Sequence, residues 1–125
     1  MTKKILIVDD EAYIRLLIEQ TLEDLEDEGV ELFTAENGVE ALSIIQENKP
    51  DMIFLDVMMP KLNGFDVCQK LKGELAMEDI YICMLTAKGQ EFDKARGTEV
   101  GADLYMTKPF DPDELLALAE EVLGL

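Results

Sequence analysis

The chain has 125 residues, 28 acidic and 11 basic, for a net charge of −17 at neutral pH, and it contains no histidine. That length fits one domain around a single core, and the charge opposes direct contact with nucleic-acid phosphates or an anionic membrane surface. Without histidine there can be no His-ligated zinc site, no Ser-His or Cys-His catalytic pair and no phosphohistidine donor role.

Residues 5–8 (ILIV) form the first predicted strand, a continuous apolar run suited to a strand covered on both faces. Asp9 and Asp10 interrupt it, leaving it too short for a secretory leader or a membrane span. Ile14, Leu17, Ile18, Leu22 and Leu25 then recur at helical spacing, and residues 31–35 (ELFTA) read as a second strand. The acidic run from Glu23 through Glu28 to Glu31 reads as a solvated helix end and loop. Asn37 with Glu40 three residues later has the spacing of an N-terminal capping box, and that helix ends at Pro50. Residues 52–55 (MIFL) predict a third buried strand running into Asp56. Pro60 and Asn63-Gly64 mark a loop before a helix carrying Phe65, Cys68 and Leu71. Residues 80–85 predict the fourth strand, 90–100 a polar fourth helix closed by Gly101, and 102–106 the fifth strand. The last helix opens with Asp111 as cap, Pro112 at its first position and Glu114 at its third, and presents Leu115, Leu118, Ala119 and Val122. Cys68 and Cys83 lack CxxC spacing, which favours a reducing, cytoplasmic setting and buried apolar roles.

Five strands alternating with five helices predict one α/β domain with a parallel sheet and right-handed crossovers. In such sheets ligands bind beyond the carboxyl ends of the strands. Strand 1 ends in Asp9-Asp10, strand 3 in Asp56, strand 4 in Thr86 and strand 5 in Lys108, so three carboxylates, a hydroxyl and an ammonium share one rim. Carboxylates that close do not all ionise readily without a cation, and an oxygen-only set points to Mg²⁺. With Mg²⁺ and Lys108 the three negative charges are balanced. A carboxylate so placed can attack an activated phosphoryl group, with Lys108 and Thr86 on the phosphoryl oxygens.

The segments ILIVDDE, LDVMMPKLNG, MLTAKG and GADLYMTKPF resemble, in order and over nearly the whole chain, the receiver (CheY-like) domain of bacterial two-component response regulators. The resemblance implies a receiver domain over residues 1–125 with the flavodoxin-like (βα)5 fold: a five-stranded parallel sheet of order 2-1-3-4-5 with helices on both faces. It implies Asp56 as phosphoacceptor, Asp10 as a direct Mg²⁺ ligand, Asp9 acting through water, and Met58 offering its backbone carbonyl to the metal. Thr86 and Lys108 would contact the phosphoryl group, Tyr105 would be the aromatic switch residue, and the Lys108-Pro109 peptide would be cis. Met58 and Lys88 stand at the positions that tune phosphoryl lifetime, and neither orients a water. The implied partners are a cytoplasmic sensor histidine kinase or phosphotransfer protein upstream, and a downstream protein or output domain. The domain would catalyse only its own phosphorylation and dephosphorylation.

Two departures from the family stand out. The segment between Asp10 and Ala35 is longer than usual by about one helical turn, read as an extended first helix or its following loop. The last helix carries no basic residue, whereas winged-helix regulators pair their fourth-helix, fifth-strand, fifth-helix faces through such cations. A monomer or weak dimer is therefore expected, with no direct nucleic-acid binding. The chain reads as a stand-alone receiver or one cut from a larger protein. Rival readings are an aspartyl-phosphate phosphatase, a flavodoxin-like nucleotide binder and a silent receiver scaffold. The first usually has a second Asp where Met58 stands, the second needs glycine in the loop after strand 1, and the third does not need the complete site.

Overall fold

Strand β1 (Lys4–Val8) is apolar at four successive positions, and the alternation of side chains sends two of them to each side of the sheet. In the computed structural model, which describes residues 2–59, 62–75, 77, 79–87 and 101–125, both sides are covered. Ile5, Ile7, Met52, Phe54, Cys83 and Leu85 pack against helices α1 (Ala12–Glu26) and α4 (Pro112–Leu123). Leu6, Val8, Ile53, Leu55, Ile82 and Met84 pack against α2 (Gly38–Asn48) and α3 (Gly64–Gln69). A continuous apolar run is what a doubly covered parallel strand requires.

The remaining strands are β2 (Glu31–Ala35), β3 (Met52–Asp56), β4 (Tyr81–Ala87) and β5 (Leu104–Lys108). They form one parallel sheet of order β2-β1-β3-β4-β5, as the resemblance implies. The chain thus reverses its direction of travel across the sheet at β1 and β3, which opens the crevice where ligands bind in such folds.

Local details refine the expectations. Most of the segment between Asp10 and Ala35 is helical: α1 runs 15 residues, and only residues 27–30 separate it from β2. Asn37 caps α2 by accepting the Glu40 amide, and Lys49 closes that helix in the left-handed conformation just before Pro50. Helix α3 has the reciprocal capping box, Asn63 with Asp66, and continues as a π-helical turn (Lys70–Glu74).

Strand β5 begins two residues later than expected. Asp103 stands before it because its carboxylate, rather than a strand carbonyl, accepts the Ile82 amide at 2.8 Å. The ladder with β4 runs from Leu104 to Lys108. At α4, Asp111 accepts the Asp113 amide, so Glu114 takes no part in the cap. Cys68 and Cys83 are buried in opposite layers, and burial pushes their thiols up to about 11 and about 12, which leaves both inert. The expected helix over residues 90–100 lies outside the described residues. Among the described residues no helix is long and apolar enough to cross a membrane.

Candidate functional site

Because all five strands run parallel, their carboxyl ends meet at one rim. Asp9 follows β1 directly and is fully buried, Asp56 closes β3 at 3% exposed, and Asp10 is exposed at the mouth. One carboxylate oxygen from each of Asp9, Asp10 and Asp56 lies within 4.8 Å of the other two. Lys108, at the end of β5, donates from Nζ to Asp9 Oδ2 at 3.0 Å and to Asp56 Oδ1 at 3.2 Å. The sheet thus brings together the three carboxylates and the lysine that the sequence marks.

Asp9 is held at every polar atom that can bond. Its amide donates to the Ala35 carbonyl at 3.2 Å. Oδ1 accepts the Glu11 amide at 2.9 Å, a local turn that aims the start of α1 away from the rim. Its carbonyl accepts Arg15 Nη1 at 2.7 Å. Glu11 and Arg15 are not marked by the sequence, yet both join the site, and Glu11 Oε1 also lies 3.9 Å from Lys108 Nζ.

The electrostatics follow from this crowding. Burial, reinforced by the charge of Asp9, pushes the Asp56 carboxyl up to about 7, while Lys108 pulls it back down. Burial alone would favour neutral Lys108, but the carboxylates of Asp56 and Asp9 outweigh it and hold the ammonium above its ordinary range. One ammonium against three carboxylates leaves a deficit of positive charge at an oxygen-only donor set. That is chemistry suited to a hard divalent cation, so the residues present fit a metal.

The other expected residues are distributed around this centre. Thr86 is buried on β4, one residue beyond Leu85, the register partner of Asp56. Tyr105 is half-buried on β5 in register with Met84 and packs against the α2–α3 layer. Met58, two residues past Asp56, is 60% exposed. The Lys108–Pro109 peptide is cis. Lys88 lies outside the described residues.

Behind Asp56 the chain has no spare room. Gly64 opens α3 with its amide donating to the Val57 carbonyl at 2.9 Å, and a Cβ there would sit 2.5 Å from the Asp56 carbonyl oxygen. Glycine lets α3 start against the end of β3.

Comparison with known proteins agrees with this architecture. A family model for the response regulator receiver domain matches residues 5–120. The chain is 50% identical over 123 residues to the alkaline phosphatase synthesis transcriptional regulatory protein PhoP of Bacillus subtilis, covering 98% of this chain and 49% of that protein. It is 50% identical over 121 residues to the phosphate regulon transcriptional regulatory protein PhoB of Pseudomonas aeruginosa, covering 97% and 52%. The chain therefore spans about half the length of these curated relatives. Among solved structures, the chemotaxis response regulator CheY4 of Vibrio cholerae superposes with a TM-score of 0.85 at 35% identity over 98% of this chain and 99% of that one. With its five-stranded order and the acidic rim beyond β1 and β3, this chain belongs to the response regulator receiver domain family.

Proposed function

We propose that residues 1–125 act as a phosphoacceptor switch in which Asp56 takes a phosphoryl group from a histidine kinase or phosphotransfer protein. The observation that carries this reading is the buried Asp56 carboxylate, bonded to Lys108 and within 4.8 Å of Asp9 and Asp10 oxygens. Asp9, Asp10, Asp56 and the Met58 backbone carbonyl would hold Mg²⁺, with Asp9 acting through water. When bound, that ion neutralises charge on the transferring phosphoryl oxygens.

The protein's own groups do the rest. Ionised Asp56 attacks phosphorus in line, the bond to the donor breaks, and an acyl phosphate forms on its carboxylate. Lys108 Nζ, already bonded to Asp56, turns its charge toward the new phosphoryl oxygens. Thr86 supplies a hydroxyl donor from the neighbouring strand, and its movement lets half-buried Tyr105 reorient on β5. The same site returns Asp56 to its resting form by hydrolysis, so the domain catalyses only its own modification. Cytoplasmic location follows from the source of the phosphoryl group.

The names of PhoP and PhoB suggest transcription as the output class. With a charge of −17, contact with DNA would fall to another domain or a partner protein rather than to this surface. A small acyl-phosphate or phosphoramidate donor tests the site. With Mg²⁺, intact mass should rise by one phosphoryl group; Asp56→Asn should remove the gain, and Asp10→Ala should weaken Mg²⁺ binding at least tenfold. Undiminished labelling of Asp56→Asn would reject Asp56 as acceptor.

A further inference from the structure

Arg15 takes no part in the phosphoryl chemistry, yet its guanidinium lies against the loop that presents the acidic residues. It sits one turn into α1, with a side chain 18% exposed. Helical Cα–Cβ bonds tilt toward the N-terminus, so a long side chain at this position reaches back over the first turn. There Nη1 donates to the Asp9 carbonyl at 2.7 Å, and Nη2 lies 3.8 Å from Glu36 Oε2, just beyond β2.

Two ordinary explanations fall short. The contact with Glu36 is long and that carboxylate is well exposed, so as a surface ion pair it adds little. A cation folded back over a helix N-terminus lies at the unfavourable end of the helix dipole, so helix stability does not account for it. What the arginine holds is a peptide plane. The Asp9 carbonyl and the Asp10 amide share that plane, so fixing one sets the direction in which Asp10 leaves the strand. The other polar atoms of Asp9 are already tied to Ala35, Glu11 and Lys108. Asp10 is exposed, yet its carboxylate falls within the cluster.

We propose that Arg15 is a positioning residue for the metal site, orienting the Asp9–Asp10 peptide so that the Asp10 carboxylate is preset for a small cation. This rests on the metal reading above. The sign of the effect separates positioning from charge. A guanidinium near three carboxylates weakens their pull on a cation, so charge alone would make its removal tighten Mg²⁺ binding. Positioning demands the opposite. It also demands a dependence on the cation, because Mg²⁺ needs near-ideal octahedral geometry whereas Ca²⁺ accepts irregular oxygen shells.

The test is calorimetric titration of Mg²⁺ and, separately, Ca²⁺ into the metal-free chain, with melting curves in EDTA. Arg15→Met should weaken Mg²⁺ about tenfold, as loss of ligand-orienting contacts does, and Ca²⁺ clearly less. Arg15→Lys keeps the charge and one donor, so it should recover part of the Mg²⁺ affinity. Glu36→Gln should leave it near the wild-type value. Arg15→Met binding Mg²⁺ as tightly as wild type, or losing both cations equally, would overturn the proposal. Should Arg15→Met fail to melt cooperatively, Arg15→Lys decides: unchanged Mg²⁺ affinity and an unchanged Mg²⁺/Ca²⁺ ratio would overturn it. The metal reading fails separately, if wild type binds no Mg²⁺ or Asp10→Ala binds it as well as wild type.

Discussion

At Asp56 the requirements of folding and of chemistry oppose each other. Ionisation makes the carboxylate a nucleophile, but burial and Asp9 raise its pKa from 3.8 to about 7. A group raised in the folded state adds stability that is complete below its unfolded pKa and is lost as pH climbs through the folded one. In EDTA the protein should therefore lose stability between about pH 4 and pH 8. Asp56→Asn should be more stable than wild type at pH 8 by about 1–4 kcal/mol, with the gain shrinking toward pH 4. Urea melts at the two pH values check this, and equal gains at both would show that the charge of Asp56 is not the cause. Met58 makes a second residue-scale case. Its exposed thioether cannot orient an attacking water, so Met58→Asn should speed loss of the phosphoryl group several-fold; a decay no faster in that variant would remove side chain 58 from control of the water. Asp9, Asp10, Asp56 and Lys108 were legible in the sequence because each follows or closes an apolar strand. Glu11 and Arg15 were not, because their contacts depend on how α1 turns away from the rim.

Besides the long side chains of Lys108 and Arg15, close backbone approaches join elements at the site. The start of α3 touches the end of β3 where Gly64 meets the Asp56 carbonyl, and α2 touches the next loop where Gly38 meets the Leu62 carbonyl. Gly64→Ala forces a Cβ to within 2.5 Å of backbone that is itself paired into the sheet. It should cost about 1–3 kcal/mol in denaturant melts and slow phosphodonor labelling, since relief must move Asp56. A stable variant labelled at the wild-type rate would show that α3 yields instead. Strand identity was legible from apolar runs, and helix starts from Asn37 and from Asp111-Pro112. The end of β4, at Ala87 rather than Leu85, and the start of β5 were not legible. Asp103 supplies from its side chain the acceptor that a strand carbonyl would normally give Ile82, and no periodicity encodes that substitution. The Asn63-x-x-Asp66 capping box was masked in the sequence by the Asn63-Gly64 pair, which is equally a turn signal.

Across the whole molecule, charge decides what the exposed faces can meet. Beyond Lys108 there is no cation in the sequence, while Asp111, Asp113, Glu114, Glu120 and Glu121 all belong to α4 or its cap. Capping and solvation of the helix explain the acids at its start, since negative side chains favour that end of the dipole. They do not explain why its last turn also carries acids and no base. Two copies meeting through a symmetric β5–α4 face would set each such acid against its counterparts, because a two-fold contact presents the same patch from both sides. Lys94 and Arg96, the nearest cations in sequence before Gly101, lie outside the described residues and could at most answer part of that charge. The activated domain should therefore sediment as a monomer or weak dimer after beryllofluoride treatment at low salt. If repulsion is the cause, salt must matter in a definite direction. The screening length falls from about 10 Å at 0.1 M to about 3 Å at 1 M, so association should strengthen as salt rises. A tight dimer at low salt, dispersed by substitutions on α4, would refute this; so would association that weakens with added salt, the signature of ion pairs across the interface.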